Sequence, residues 1–457
     1  MISFSIPPSS RKPREYFAAP TGQKWPPSPH PVLPLPYNTL PPIGNSGNLR
    51  RIALYVFRMI SLGEARALIV QKILPLPAVA TPLATACGRV LRRDVRARED
   101  LPAFDRSAMD GYAIAAGDSS RRFRIVAEVQ PGPAPTCKIR PGECVRIFTG
   151  AAIPGGASQV LAQEHVRREG NFMVPLEREA ATHIRRRGED ARKGDLLLKK
   201  GARLGPGDLA LLASLGLTRP KVSPPARVAH LTTGNELVAP EKEPRPGMIR
   251  DSNSTLVAAL AAKFGGQIVC QERVPDDFNL LLKKGRALGR SIDLLLLSGG
   301  AGGGEHDFGK KLLTALGFRI HFTAINLRPG KPLVFATRGR QAAFVLPGNP
   351  VAHLVTLHTA VRLAFDRLAG AGGSWPLVRV RLAAVPDHRP NGRETLCPAR
   401  LEIKADGSGK LVARGLPWQS SGDVTGLAGV NALLRLEAGA EAPRAGDLVS
   451  VLMLEIP

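Results

Sequence analysis

Aromatic residues are only 5% of this 457-residue chain, so the core it builds is aliphatic and alanine-rich. Cysteine is scarce as well. The five cysteines (Cys87, Cys137, Cys144, Cys270, Cys397) are odd in number, scattered, and form no C-x-x-C pair. Neither a zinc site nor a disulfide framework is indicated, which fits a reducing cytoplasm. The nine histidines contain no H-E-x-x-H pattern. His353 and His358 share an expected helix five residues apart, off any common face, and read as packing or surface residues. No run of about 20 apolar residues exists, so no membrane span is expected. The apolar stretch Ile52–Leu62 is short, broken by Arg58, and followed by no small-residue cleavage site. Acidic residues are the other shortage: 38 Asp and Glu against 63 Lys and Arg, a formal net charge of +25. The cations are dispersed, without a lysine-rich tail or an aromatic-interleaved basic stripe. That argues against nucleic acid and leaves two readings, a small anionic substrate steered into a basic cleft or simply an arginine-rich composition.

What is present organises itself around Ile292–Pro350. An apolar run, IDLLLLS, enters a glycine-rich loop, GGAGGGEHD. The helical pattern FGKKLLTALG, the basic turn LRPGKP, two short strands and the tight turn LPGNP follow. A buried parallel strand, a glycine-rich turn and a helix start together make an anion site, because glycines let backbone N–H groups approach a phosphate. Glu305 and Asp307 lie in that loop, and Arg328 and Lys331 lie downstream on a turn stiffened by Pro329 and Pro332. Carboxylates and cations around one anion make sense if a divalent hard cation bridges carboxylate and phosphate. The plainer alternative is that the two carboxylates cap the helix.

In chain order, residues 1–58 are dense in Pro, Ser and Asn and are expected to be a disordered extension. SLGEARALIVQKIL reads as an amphipathic helix with Ser61 as N-cap and Glu64 completing a capping box. Short strand-like runs separated by Gly and Pro turns make 91–190 a β-rich domain. Residues 191–220 carry a strand, a turn and a helix; they are expected to pack with the Ser61–Leu74 helix. Segments 61–90 and 191–220 then form one discontinuous helical linker domain, into which the β-rich domain is inserted. From 221 to 370 strand and helix alternate, predicting a doubly wound, mostly parallel sheet with helices on both faces. In such a sheet the loops TTGNE, RDSN, GGAGGGEHD and RPGKP fall together at the strands' carboxyl ends. Residues 375–457 return to strands, a small C-terminal all-β domain whose DGSGK turn suits a hairpin. The fold class is thus multidomain α/β plus β.

These pieces in this order resemble the MoeA-type molybdopterin molybdotransferases, including the gephyrin E domain. The matching stretches are FDRSAMDGYAI, RIFTGAAIP, RRRGED, LGPGDLALLASLG, TTGNEL, GMIRDSN, SGGAGGGEHD, LRPGKP and LPGNPV. The resemblance implies an elongated, cytoplasmic homodimer whose central domain is MogA-like. It implies a magnesium-dependent enzyme that inserts molybdate into adenylylated molybdopterin and releases AMP. It further implies dealings with the molybdopterin adenylyltransferase and with molybdoenzyme maturation proteins. Under it Asp251, Glu305 and Asp307 hold the cation and, with Lys331, are the catalytic group. Thr233, Gly234, Glu236, Ser298, Gly299 and Gly300 take the phosphate end. Arg328, Arg393 and Ser420 hold the oxyanion beside Lys331, and Pro332, Pro347 and Pro350 are further substrate-binding positions. Asp105, Thr149 and Asp190 reach the cleft from the β-rich domain, the first two from the other subunit.

The chain departs from the family pattern at Asn235, where an aspartate is usual, in the loop residues Ala301, Gly302 and Gly303, and at Ala352, where serine is frequent. These departures keep an alternative open: a catalytically weak paralogue acting as a scaffold or molybdate-binding partner. Because structured sequence begins near Ser61, Met59 is expected to be the true start. The intact mass of natively expressed protein checks this, and a mass that includes Met1 contradicts it.

Overall fold

The computed structural model describes residues 59–115, 117–177, 180–300, 308–373, 375–386, 391–404 and 409–455. The expected extension 1–58, most of the DGSGK turn, and Glu305 and Asp307 lie outside the described residues. The first helix, α1 (Leu62–Lys72), starts at the expected capping box. Ser61 Oγ accepts the Glu64 N–H at 3.1 Å while Glu64 Oε2 accepts the Ser61 N–H at 2.7 Å. Its buried residues Leu62, Ala65 and Ile69 recur at helical spacing.

The β-rich region is a six-stranded sheet. Its strands are β1 (Gly111–Ile114), β2 (Phe123–Val129), β3 (Glu143–Ile147), β4 (Gln159–Ala162), β5 (Val166–Glu169) and β6 (Phe172–Pro175). Their spatial order is β4-β1-β3-β2-β6-β5. The run SQVLAQEHV is not one strand: a 3-10 turn at Gln163–His165 separates β4 from β5. The chain on either side of this sheet pairs with itself, Val79 opposite Val222, Leu91 opposite Val222 and Leu101 opposite Ala191. Helix α2 (Pro206–Ser214) closes this part with Leu212 in a small core beside Leu91, Val95 and Leu204. Helix α1 belongs elsewhere. Its apolar stripe joins the core of the α/β domain, and its contacts are to the helices near residues 357–369. Arg66 seals that seam, donating to the Thr359 carbonyl at 2.7 Å and stacking on Trp375 at 4.0 Å. An apolar stripe specifies that a helix must be covered, not by what, so the expected packing of α1 against α2 is corrected here.

The α/β domain contains β7 (Ala226–Thr233), α3 (Ser252–Lys263), β8 (Gly266–Val274), α4 (Phe278–Leu288), β9 (Leu294–Ser298) and α5 (Phe308–Ala315). It continues through β10 (Arg319–Phe322), β11 (Leu327–Arg328), β12 (Val334–Arg338), β13 (Gln341–Leu346), α6 (Pro350–Thr356), a π-helical turn at Leu357–Val361, and α7 (Arg362–Ala369). All but β11 of these strands form one sheet in the order β8-β7-β9-β13-β12-β10. The first four are parallel; β12 alone runs the other way, pairing antiparallel with β13 and with β10. The two-residue period of a strand sorts the side chains between two cores. Leu294, Leu296, Ala342 and Phe344 face the core shared with α1, α3 and α7, whereas Leu295, Leu297, Ala343 and Val345 face the one shared with α4 and α5. Phe335 stacks on Phe344 with ring centroids 5.0 Å apart and lies 5.6 Å from Phe322.

The C-terminal strands are β14 (Leu377–Ala384), β15 (Glu394–Ile403), β16 (Leu411–Gly415), β17 (Ala432–Leu436) and β18 (Leu448–Met453). They run β15-β16-β14-β18-β17, and β17 pairs back on β15, which closes a barrel. Strand β11 pairs with β15, tying the RPGKP turn of the α/β domain to the barrel. Because Phe335 is fully buried at the centre of the aromatic stack, Phe335→Ala is expected to cost ~3–5 kcal/mol. A lowered urea midpoint in circular dichroism reads this; an unchanged midpoint contradicts the packing.

Candidate functional site

The parallel strands end at Thr233, Ser298 and Leu346. Where a ladder stops, backbone groups are released to face a ligand. Here the ends open into a cleft of about 700 Å³, lined by Thr232, Thr233, Glu236, Arg250, Asp251, Asn253, Ser298, Gly299, Asn349 and Pro350 among others. A second hollow of about 330 Å³ is lined by Arg328, Lys331, Pro332, Pro347, Asn349, Arg393, Ser420 and Ser421. Asn349 belongs to both walls, so the two are lobes of one site.

The lobes differ electrostatically. Among its described lining residues the strand-end lobe carries the carboxylates of Glu236 and Asp251 and one cation, Arg250. The second lobe carries three cations and no carboxylate among its described lining residues. A compact anion therefore finds its complement in the second lobe. Its floor is the turn after β11, in which the Arg328–Pro329 peptide is cis.

Local geometry explains the glycines. Gly299 has φ +89, and a Cβ there would lie 2.6 Å from the Thr233 carbonyl oxygen. Only glycine lets β9 turn away this close to the end of β7. Gly234 has φ +151, and a Cβ there would meet Glu236 Oε2 at 2.8 Å. Asp251 is the N-cap of α3 and is buried. Its carboxylate accepts the Ser254 N–H at 2.9 Å and the Ser254 hydroxyl at 2.5 Å, and Arg273 Nε stands 3.8 Å away. These bonds use part of a carboxylate's acceptor capacity and leave lone pairs for a cation.

Of the expected site residues, Thr233, Glu236, Asp251, Ser298, Gly299 and Pro350 line the first lobe. Arg328, Lys331, Pro332, Pro347, Arg393 and Ser420 line the second. Gly234 and Gly300 lie beside Glu236 and Gly299 in the same turns. Asp105, Thr149 and Asp190 line neither lobe of their own chain. Asp105 accepts from Arg186 Nη1 at 2.7 Å and from the Arg187 N–H at 2.8 Å. The Arg187 N–H, with the Arg186 guanidinium, holds its pKa below the usual carboxylate value. Thr149 donates its N–H and hydroxyl to Asp110 at 2.7 and 2.8 Å, and Asp190 pairs with Arg185. Sequence reasoning missed Asn253 and Asn349. The Asn253 amide donates to the Gly348 carbonyl at 2.6 Å, and the Asn349 amide donates to the Ser421 hydroxyl at 2.7 Å. Each sat inside a quoted loop, but the bonds join residues far apart in the chain.

Beneath the first lobe two histidines are fully buried. Burial, then the facing His353, pushes His230 down to about 3; burial pushes His353 down to about 4.

Fold and cleft define a class: a multidomain α/β protein with a two-lobed cleft between a parallel sheet and a terminal barrel. Comparison with known proteins narrows this. Residues 60–216 match the MoeA N-terminal region (domains I and II), 229–367 match a "probable molybdopterin binding domain", and 380–454 match the MoeA C-terminal region (domain IV). A molybdopterin molybdenumtransferase of Nostoc sp. is 32% identical over 445 residues, covering 94% of this chain and 98% of that protein. One of Haemophilus influenzae is 35% identical over 318 residues, 68% and 78% of the two chains. The crystal structure of a molybdopterin biosynthesis MoeA protein from Pyrococcus horikoshii superposes with a TM-score of 0.73 at 28% identity, over 87% of this chain and all of that one. The chain belongs to the MoeA family.

The buried histidines also set a pH dependence. With His321 and His358, four rings have folded-state values of about 3 to 4 against ~6.5 unfolded. Above that unfolded value both states are neutral and stability is complete. As pH falls from ~6.5 towards ~4, the unfolded chain takes up protons that the folded rings refuse. Stability is then lost at up to about 1.4 kcal/mol per pH unit per ring. The urea midpoint is expected to fall between pH 7.5 and pH 5; a midpoint constant over that window contradicts it.

Proposed function

We propose that this protein inserts molybdate into adenylylated molybdopterin and releases AMP, completing the molybdenum cofactor. The observation that carries the proposal is the meeting at Asn349 of a carboxylate-bearing lobe and a lobe whose described charged lining is cationic. A substrate with a phosphoanhydride at one end and a metal-accepting dithiolene at the other needs both. In this reading the phosphates lie over the strand ends, against the backbone of Thr233–Glu236 and of Gly299 and Gly300. Molybdate lies in the second lobe, held by Arg328, Lys331 and Arg393 with the Ser420 hydroxyl. Fixed cations in a partly enclosed hollow hold an oxyanion without reorganising at the moment of reaction.

Magnesium is part of the proposal, and the donor chemistry suits it. Asp251 and Glu236 offer oxygen only, and magnesium is commonly held by one or two carboxylates plus substrate phosphates. Asp251 would hold it, together with Glu305 and Asp307 from the glycine-rich loop. Bound there, the ion would supply charge neutralisation at the phosphoanhydride. In a homodimer, the partner subunit's Asp105 and the partner subunit's Thr149 would face the cleft. The structure around Asn235 bears on the scaffold alternative. The Asn235 N–H donates to Asp276 at 3.2 Å, and Asn235 Oδ1 accepts the Asp276 N–H at 3.0 Å. Asn235 is absent from the lining of either lobe, so losing a carboxylate there takes nothing from the cleft wall of this chain. That favours the active reading.

AMP release from adenylylated molybdopterin in magnesium buffer, with and without molybdate, tests the proposal. Molybdate-dependent release is expected. Lys331→Ala should raise the molybdate needed for half-maximal release by roughly tenfold, the loss of one charge-assisted contact. No release from substrate that still binds would point to the scaffold instead.

A further inference from the structure

Burying two imidazole rings completely is unfavourable unless each ring nitrogen has a partner. His230 and His353 are both fully buried beside a largely aliphatic and phenyl core. The period of the strands puts His230 of β7 and Ser298 of β9 on the same face of the sheet, alongside Val228 and Leu296. His353 comes down onto that face from α6.

Together they form a continuous file of hydrogen bonds. Gln271 Nε2 lies 3.0 Å from His230 Nδ1. His230 Nε2 lies 2.6 Å from Ser298 Oγ, Ser298 Oγ 3.4 Å from His353 Nε2, and His353 Nδ1 2.8 Å from the Pro347 carbonyl oxygen. The two ends fix the direction of every bond between them. A carbonyl can only accept, so His353 carries its proton on Nδ1 and accepts on Nε2. The Gln271 amide nitrogen, which also donates to the Ser254 carbonyl at 2.9 Å, can only donate. His230 therefore accepts on Nδ1 and carries its proton on Nε2. Ser298 accepts that proton's bond and donates its own hydroxyl to His353, so both neutral rings and the serine are satisfied without conflict. A branch leaves through Thr232 Oγ1, 3.2 Å from His230 Nε2, and continues at 3.0 Å to Ser254 Oγ, the hydroxyl on Asp251.

The file ends on the turn where the two lobes meet. The Gly348 carbonyl is held by Asn253 and the Asn349 side chain by Ser421, while the Val351 N–H donates to the Ser421 carbonyl at 3.0 Å. Those anchors hold the turn from α3 and from the barrel; the file holds it from the sheet. We propose that His230 and His353 are positioning residues which, through Ser298, fix the Pro347–Asn349 turn and with it the spacing of the strand-end lobe from the oxyanion lobe. It follows that the Ser298 hydroxyl serves the file and not the substrate, which meets only the backbone at the end of β9. The kinetic side of this inference rests on the proposed reaction; the structural side does not.

Nitrogen-15 spectra of histidine-labelled protein test the file directly. His353 is expected as the Nδ1–H tautomer and His230 as the Nε2–H tautomer. Either ring in the opposite tautomer overturns the proposal, whatever the protein's activity. Two variants then separate positioning from mere packing. His353→Asn keeps a donor near the Nδ1 position, whereas His353→Leu removes it. The Leu variant is expected to raise the KM for molybdate about tenfold, the worth of a lost buried hydrogen bond, with kcat changed by less than about twofold. The Asn variant should stay within about threefold of wild type in KM. Equal KM values in the two variants overturn the proposal even if both lower Tm. Should the Leu variant not fold, Ser298→Ala breaks the file between the rings. It should then raise the molybdate KM similarly, and an unchanged KM overturns the proposal. A wild-type protein that releases no AMP overturns the reaction alone, and the tautomers still decide the file.

Discussion

The structure depends on a strand that is buried on both faces. Strand β9 is Leu294–Ser298, every residue buried, with β7 on one edge and β13 on the other. Such a strand can satisfy its backbone only within the sheet. Its four leucines demand cover above and below, which the helices on both faces provide. Its carboxyl end is the one place where this arrangement stops. There the glycine turn begins, and the neighbouring strands contribute Thr233 on one side and Pro347 on the other. The position of the cleft follows from where the ladder runs out.

The cleft's division into two lobes is likewise a physical requirement. Carboxylates beside a phosphate are repulsive unless a cation intervenes, whereas an oxyanion wants cations and no carboxylate near it. The chain keeps these environments apart. Asp251 and Glu236 stand on loops after β7, and Arg328 and Lys331 on a turn that β11 fastens to the barrel. The barrel therefore does more than cap the chain. It brings Arg393 and Ser420 to the cationic lobe and Ser421 to the dividing turn. Gly422 and Val424 of the barrel also line the strand-end lobe, so movement of the barrel against the sheet would alter both lobes.

Much of this was legible in the sequence because the signals are local. An apolar run before glycines announces β9 and its turn, and a proline after each of Arg328 and Lys331 announces a rigid basic loop. The alternation of strand and helix gives the sheet, and the sheet gives the rule that the loops converge. What was not legible is how the loops hold one another. Asn253 with Gly348, Asn349 with Ser421, and His230 with Ser298 and His353 are contacts between elements distant in the chain, with no period or spacing to reveal them. His353 reads as a packing residue, and it is buried; what it packs is a polar file. Helix α1 shows the same limit. Its stripe and caps were readable, but its partner was not, because one apolar face looks much like another until the chain is folded.

Asn235 shows how a departure from a family pattern can be misweighed in one dimension. Read alone, it is a missing carboxylate in a loop that should bind a cation and phosphates. In the fold, its backbone and side chain form a reciprocal pair with Asp276, each N–H bonded to the other residue's side-chain oxygen. An aspartate at 235 could accept the same N–H but would set a second negative charge beside Asp276. Asparagine makes the bond without that repulsion. The substitution is thus balanced locally by the residue it touches, at the rim of the loop. The carboxylates that do face the cleft, Glu236 and Asp251, are untouched by it. Whether a motif residue can change depends on which way its side chain points, and at this position it points at Asp276.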